Sequence, residues 1–278
     1  MVVSYLFIPG NSLKKLQKGL ESKSDAVIID LEDAVLPVDK YAAREQVVEI
    51  LNAGLVKGQP KIYVRINSFQ TEWCIDDLVA ITSIPLVAGI MLPKSEDKES
   101  IKVVSEYLTE GQELIPLIET AKGVYYFQDI VTASSRIKKA AFGSVDYALD
   151  LGVEWTEKGE ERRYAMGVLP VASRALGLDP PIDAVFPIIQ NNDAFLLDAK
   201  IGKEAGFYGK LIIHPKHIEL VKEVYEPSEE QIVWSRKVIE LFESNTHQGA
   251  IQLDGKLIDL PIYLLAKRIA SAKEVPVI

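Results

Sequence analysis

The sequence predicts an α/β protein, a (β/α)8 TIM barrel with a C-terminal helical extension. Three observations predict it. Eight short apolar runs alternate with eight stretches of helical character over about 225 residues, the count of one such barrel. Several runs end in a charged residue, as strands do when they deliver side chains to one end of a parallel sheet. No Gly-rich dinucleotide fingerprint follows any run, which disfavours the alternative, a doubly wound open sheet.

The elements follow in order. Val2 to Ile8 is an apolar strand closed by the turn signal Pro9, Gly10, Asn11. Ser12 then stands where an N-cap is expected for a helix through Leu20, with Leu13, Leu16 and Leu20 on one stripe. Ala26 to Leu31 is a second strand, followed by a helix over Ala42 to Leu51. Lys61 to Ile66 is a third strand, and Asp76 to Ile81 is helical. Val87 to Leu92 is a fourth, ending in Pro93 and Lys94, with a helix from Ser100 to Leu108. The runs opening at Leu114 and Ala140 are the fifth and sixth, joined by a helix over Gly123 to Thr132. A polar loop, Leu151 to Glu161, leads into a helix ending near Leu176. Asp183 to Pro187 is the seventh strand, with a helix over Asn192 to Ala205; Leu211 to His214 is the eighth, with a helix over Ile218 to Val224.

A boundary is placed near Pro227 and Ser228, giving a catalytic barrel over 1–225 and an extension over 226–278. The extension reads as a long helix from Glu229 to Glu243, a polar loop or hairpin over Ser244 to Gly255, and an amphipathic piece from Leu257 to Ile269. It is not needed to close a barrel and reads as a cap or an arm between subunits.

Hydrophobic residues make up 48% and charged residues 26% of 278, enough for a large core without staples. Cys74 is the only cysteine, so no intramolecular disulfide forms; this fits a reducing cytoplasm, and Cys74 reads as a packing residue. The net charge of −9 argues against nucleic acid. No segment reaches the ~20 apolar residues of a membrane span. Met1 to Gly10 lacks a basic start and reads as a strand rather than a signal peptide.

The candidate chemistry lies at the strand ends. Glu119 and Asp146 each stand just past an apolar run, 27 residues apart, close to the ~30 residues of one βαβ unit. Alone, either reads as a helix cap or a solvated loop acid. As a pair they bring two oxygen ligands to one end of the barrel and leave room for water and substrate, which suits Mg²⁺. Asp30, Glu32 and Asp33 cluster after the second strand, as helix caps or as groups touching a metal-bound water. Arg65 ends the third strand. It can fork onto an α-oxo or α-hydroxy carboxylate, form an ion pair with the Asp30 to Asp33 cluster, or do both. Lys94 is as well explained by solvation as by function. Such a constellation polarises a carbonyl and stabilises an oxyanion or enolate. His214 reads as fixing a backbone turn; His217 and His247 read as surface residues.

These residues lie in blocks that resemble the citrate lyase β-subunit-like proteins of the HpcH/HpaI aldolase superfamily, which include citryl-CoA, malyl-CoA and citramalyl-CoA lyases. The blocks are LFIPGN at 6–11, DLEDAV at 30–35, VRIN at 64–67, MLPK at 91–94, IETA at 118–121, FGSVDYALDLG at 142–152 and GKLIIHP at 209–215. The resemblance implies a homotrimer whose C-terminal extension reaches over a neighbour's site. It implies Mg²⁺ on Glu119 and Asp146, Arg65 at the substrate carboxylate, and backbone N–H groups of Gly143, Ser144 and Val145 helping to hold that carboxylate. Asp259, in the block DGKLIDLP at 254–261, matches the aspartate placed over the adjacent active site; read from the residues alone it is an N-cap for the last helix. Lys14, Lys18, Lys94, Lys210 and His214 are the candidate contacts to CoA. Relatives commonly carry Glu where Val145 stands.

The implied reaction is reversible carbon–carbon cleavage of a 3-hydroxyacyl-CoA thioester into acetyl-CoA and a 2-oxo acid. Arg65 holds the oxo-acid half, and Asp259 protonates the thioester enolate. The rivals are a metal-dependent aldolase on free hydroxy-oxo acids without CoA, and a non-catalytic thioester-binding subunit of a larger complex.

Overall fold

The computed structural model describes residues 2–54, 60–245 and 251–271, which fall into two compact units, residues 2–221 and residue 222 onward. The division lies within the helix Ile218–Tyr225.

The first unit runs β1 (Ser4–Pro9), α1 (Leu13–Leu20), β2 (Ala26–Asp30), α2 (Lys40–Asn52), β3 (Lys61–Arg65), α3 (Cys74–Thr82), β4 (Val87–Leu92), α4 (Lys98–Tyr107), β5 (Glu113–Ile118), α5 (Ala121–Tyr125), α6 (Phe127–Thr132), β6 (Ala141–Phe142), α7 (Ser144–Asp150), α8 (Arg163–Ala175), α9 (Asn192–Ala205), β7 (Lys210–Ile212) and α10 (Ile218–Tyr225). The seven strands are parallel, in the order β6-β5-β4-β3-β2-β1-β7. The sheet closes through single bridges, Ala141 with Ile182 and Asp183 with Lys210.

That closure corrects the expected seventh strand. Asp183 to Pro187 is not a strand; only Ile182 and Asp183 pair, through bonds such as Asp183 N to Gly209 O at 2.9 Å and Leu211 N to Asp183 O at 2.8 Å. Pro180 and Pro181 precede the pair and Pro187 follows it, each lacking a ladder donor. The Asp183 carboxylate accepts Ala184 N at 2.8 Å, which takes that donor out of the sheet. The expected helix over 123–132 is also two helices, α5 and α6, parted at Tyr126.

The barrel interior takes one buried set from every stave: Tyr5, Ala26 and Ile28, Tyr63, Met91, Ile115 and Leu117, Ala141, Ile182 and Leu211. Successive strand residues face opposite ways, so these positions fix which neighbours point into the barrel. Outside, α1 buries Leu16 and Leu20, whereas Leu13 is about half exposed and is not part of that stripe. Cys74 is buried in α3, and burial pushes its thiol up to about 12, as suits a packing residue.

The second unit holds α11 (Glu229–Ser244), the antiparallel hairpin β8 (Ile251–Leu253) and β9 (Lys256–Ile258), and α12 (Leu260–Ser271). Ser228 and Gln231 form a reciprocal capping box at the start of α11. Val238, Ile258 and Ala266 make a small core, and Phe242 stacks on Tyr263 at 4.5 Å. Among the described residues no helix is long and apolar enough to cross a membrane. His247 lies outside the described residues.

Candidate active site

Strand parity builds the site. Ala26 and Ile28 face the barrel interior, so Asp30 does too; Tyr63 carries Arg65 with it, and Ile115 and Leu117 carry Glu119. The three cap the interior where their strands end. Arg65 lies over the Phe7 ring at 4.9 Å and directs its fork at Asp30: Nε to Oδ1 at 2.7 Å and Nη2 to Oδ2 at 2.6 Å. Its Nη1 meets Glu32 at 3.0 Å and Asp33 at 3.6 Å. The ion-pair reading of Arg65 is thus what the fold holds. Of its five N–H groups, three are aimed at Asp30 and Glu32.

The acids are held from below. Asp30 also accepts Glu32 N at 2.9 Å and Ala34 N at 3.2 Å, which shapes the turn after β2. The buried Lys40 ammonium donates to Leu31 O and Glu32 O, both at 2.8 Å, pinning the segment that presents Glu32 and Asp33. Lys94 is a candidate CoA contact; its ammonium pairs with Glu32 and lies 3.9 Å from Asp33. Its backbone is left-handed, φ 49°, an unfavourable conformation for a side-chain-bearing residue. That turn aims its N–H at Glu119 Oε1, 2.8 Å away. Neither Lys40 nor this use of Lys94 was legible in the sequence, because both act through backbone atoms.

Glu119 is 1% exposed. Burial pushes its carboxyl up to about 8; Arg65 opposes this, and the charges of Asp146 and Glu32 add to it. Asp146, on the first turn of α7, is half-buried and also raised, by burial and then by the charge of Asp33. Gly143 lies against Glu119: a Cβ there would stand 2.6 Å from Glu119 Cβ and 2.8 Å from Oε2.

Among the described residues no group of three or more His, Cys, Asp or Glu forms a metal cage. The candidate is a two-acid site, and its residues fit a divalent cation. Five carboxylates, those of Asp30, Glu32, Asp33, Glu119 and Asp146, outnumber the cations Arg65, Lys94 and Lys40 around them. The space beside Glu119 depends on Gly143 having no side chain. Gly143→Ala is therefore expected to weaken Mg²⁺ binding at least about 10-fold with the fold retained, as read by calorimetric titration and circular dichroism. Unchanged affinity would separate Gly143 from the site.

The other candidate residues differ in exposure. Lys210 is not available to CoA: it is 0% exposed, with its ammonium 2.5 Å from Asp183 and 2.7 Å from Asp198. His214 fixes a turn, its Nδ1 accepting Lys216 N at 3.1 Å, and it is exposed. His217 is not a surface residue; it is 0% exposed and stacked on Phe195 at 4.0 Å, and burial lowers its pKa. Lys14 and Lys18 are exposed, one turn apart on α1. Ser144 is buried and Val145 exposed at the start of α7. In the second unit Asp259 Oδ1 accepts Ile262 N at 3.2 Å, an N-cap for α12.

Comparison with known proteins places the chain in a family. The family model for HpcH/HpaI aldolase/citrate lyase matches residues 3–215. The citrate lyase subunit β of Haemophilus influenzae is 31% identical over 276 residues, covering 95% of this chain and 94% of that one. The mitochondrial citramalyl-CoA lyase of Rattus norvegicus is 29% identical, covering 96% and 84%. The crystal structure of CitE from Mycobacterium tuberculosis in complex with magnesium, acetoacetate and coenzyme A aligns with a TM-score of 0.80 at 26% identity, covering 98% and 97%.

Proposed function

Because the chain belongs to the HpcH/HpaI aldolase/citrate lyase family, we propose that it is a Mg²⁺-dependent carbon–carbon lyase. It cleaves or forms a 3-hydroxyacyl-CoA thioester such as citryl-, malyl- or citramalyl-CoA, with acetyl-CoA and a 2-oxo acid as the other partners. The observation that carries the reading is the buried Glu119 beside Asp146 and Arg65 at the carboxyl ends of the strands.

Glu119 and Asp146 hold Mg²⁺, which when bound supplies positive charge to the oxygen atoms of the oxo-acid half. Arg65 takes the carboxylate of that half with the N–H groups left over from Asp30 and Glu32, helped by the N–H groups of Gly143, Ser144 and Val145. Asp30, Glu32 and Asp33 orient water around the site, and Lys94 and Lys40 hold those acids in place. In the cleavage direction the 3-hydroxyl gives up its proton to a water at the site, its oxygen becomes the carbonyl oxygen of the 2-oxo acid, and the carbon–carbon bond breaks. The bonding pair goes to the thioester enolate, whose carbon is then protonated. Asp259 is the acid for that step, contributed by a neighbouring subunit of a homotrimer; in condensation it is the base. Lys14, Lys18 and His214 border the path of the CoA moiety.

The test is the isolated protein with citryl-, malyl- and citramalyl-CoA, with Mg²⁺ or with chelator. Release of acetyl-CoA that chelator abolishes is expected with at least one. Cleavage of free hydroxy-oxo acids alone would replace this reading by the CoA-independent aldolase. Thioester binding without turnover would leave a carrier subunit.

A further inference from the structure

We infer that Trp155 is a positioning residue that holds α7, and with it Asp146, in register with Glu119; this rests on the reading of Asp146 as a metal ligand. α7 has seven residues and follows a two-residue strand. Two helical turns have little rigidity of their own, so the helix depends on what is tied to it. Its last residue is tied: Asp150 Oδ2 accepts Ala121 N at 2.7 Å, two residues beyond Glu119. Its first is tied by the indole of Trp155, whose Nε1 donates to Ser144 Oγ at 3.2 Å. Asp146 stands between these two tethers.

Trp155 comes from the polar segment 151–161, which the sequence alone gives no reason to connect with the acids. It is anchored there by contacts on two sides. The Arg162 guanidinium lies 4.9 Å from the ring, and Phe186 meets it edge-on at 5.6 Å. Arg162 is buried and held at both ends of its fork, with Nη2 on Asp198 at 2.6 Å and Nη1 on Thr156 O at 2.9 Å. Asp198 in turn is held by Lys210 at 2.7 Å. The indole thus links the buried ionic chain near the closing staves of the barrel to the start of α7. The segment is no passive loop: its one large aromatic side chain sets where the α7 ligand stands.

Trp155→Phe keeps an aromatic ring near Arg162 and Phe186 and removes the N–H together with the second ring of the indole; Ser144→Ala removes the acceptor alone. Each is expected to weaken Mg²⁺ binding about 10-fold by calorimetric titration without substrate, the scale of losing a hydrogen bond behind a ligand. The double variant is expected to lose no more than either single, because both remove one interaction. Melting temperatures are expected to stay within a few degrees. Wild-type Mg²⁺ affinity in Trp155→Phe, or losses that multiply in the double variant, would overturn the inference alone. No Mg²⁺ binding by the wild-type protein would overturn it together with the metal site.

Discussion

Glu119→Gln is expected to keep the fold and lose the reaction. The amide preserves the shape of the side chain and an oxygen for Lys94 N, which Glu119 Oε1 now accepts at 2.8 Å. In the metal-free protein the Glu119 carboxyl, pushed up by burial to about 8 from 4.5, is largely protonated at neutral pH, so a neutral amide resembles it closely. The sign follows. An acid whose folded pKa is raised stabilises the fold most below its unfolded value, and that stability is lost as pH rises from about 4.5 towards 8. Glutamine does not titrate. Metal-free Glu119→Gln is thus expected to melt at or above the wild-type temperature, with the gap widening across that pH range. Adding Mg²⁺ reverses the order, because only the wild type gains a bound cation. Turnover falls by at least about 10³-fold, some 4 kcal/mol of lost charge stabilisation, and Asp146→Asn behaves alike. Thermal melts with and without Mg²⁺, beside steady-state rates, check both halves. Undiminished turnover in either variant would remove that residue from the mechanism.

Those two acids were legible in the sequence for a physical reason. A parallel strand buried on both faces is apolar along its length, so the first charge after it marks the carboxyl end, where such folds gather chemistry. Asp30, Arg65 and Lys94 were found by the same rule; Arg65 pairs with Asp30, and Lys94 N donates to Glu119. What the rule misses is contact made at long range. Lys210 reads as a basic residue beside a strand, a fair candidate for an anion, until α9 brings Asp198 onto it. His217 reads as surface until Phe195 of that helix covers it. Parity explains both strand residues at the closure: Ile182 and Leu211 fill the barrel interior, so Asp183 and Lys210 face the other way. The seventh stave was misread because Asp183 to Pro187 has the apolar content of a strand, whereas Ala184 N turns back to the Asp183 carboxylate and Pro187 has no N–H.

The reassigned Lys210 carries the largest expected effect on stability. Its ammonium has no exposure and lies between two carboxylates, 2.5 Å from Asp183 and 2.7 Å from Asp198, with Arg162 on the far side of Asp198 at 2.6 Å. Lys210→Met keeps the aliphatic stem and removes the charge that holds the two acids together. Breaking a buried pair by deleting one partner costs roughly 3–5 kcal/mol, because the desolvated charge left behind has lost its compensation. For a barrel of this size that is a fall of about 6–20 °C in melting temperature. Adding Asp183→Leu to Lys210→Met is expected to recover much of the loss, since apolar groups replacing an ion pair together are close to neutral. The effect is structural, so CoA affinity measured below the melting range should match the wild type. Wild-type stability with weakened CoA binding would return Lys210 to the role its sequence context suggested. The pattern expected here, with stability lost and affinity kept, ties it to the closure of the barrel, where β7 meets the two-residue stave at Ile182 and Asp183.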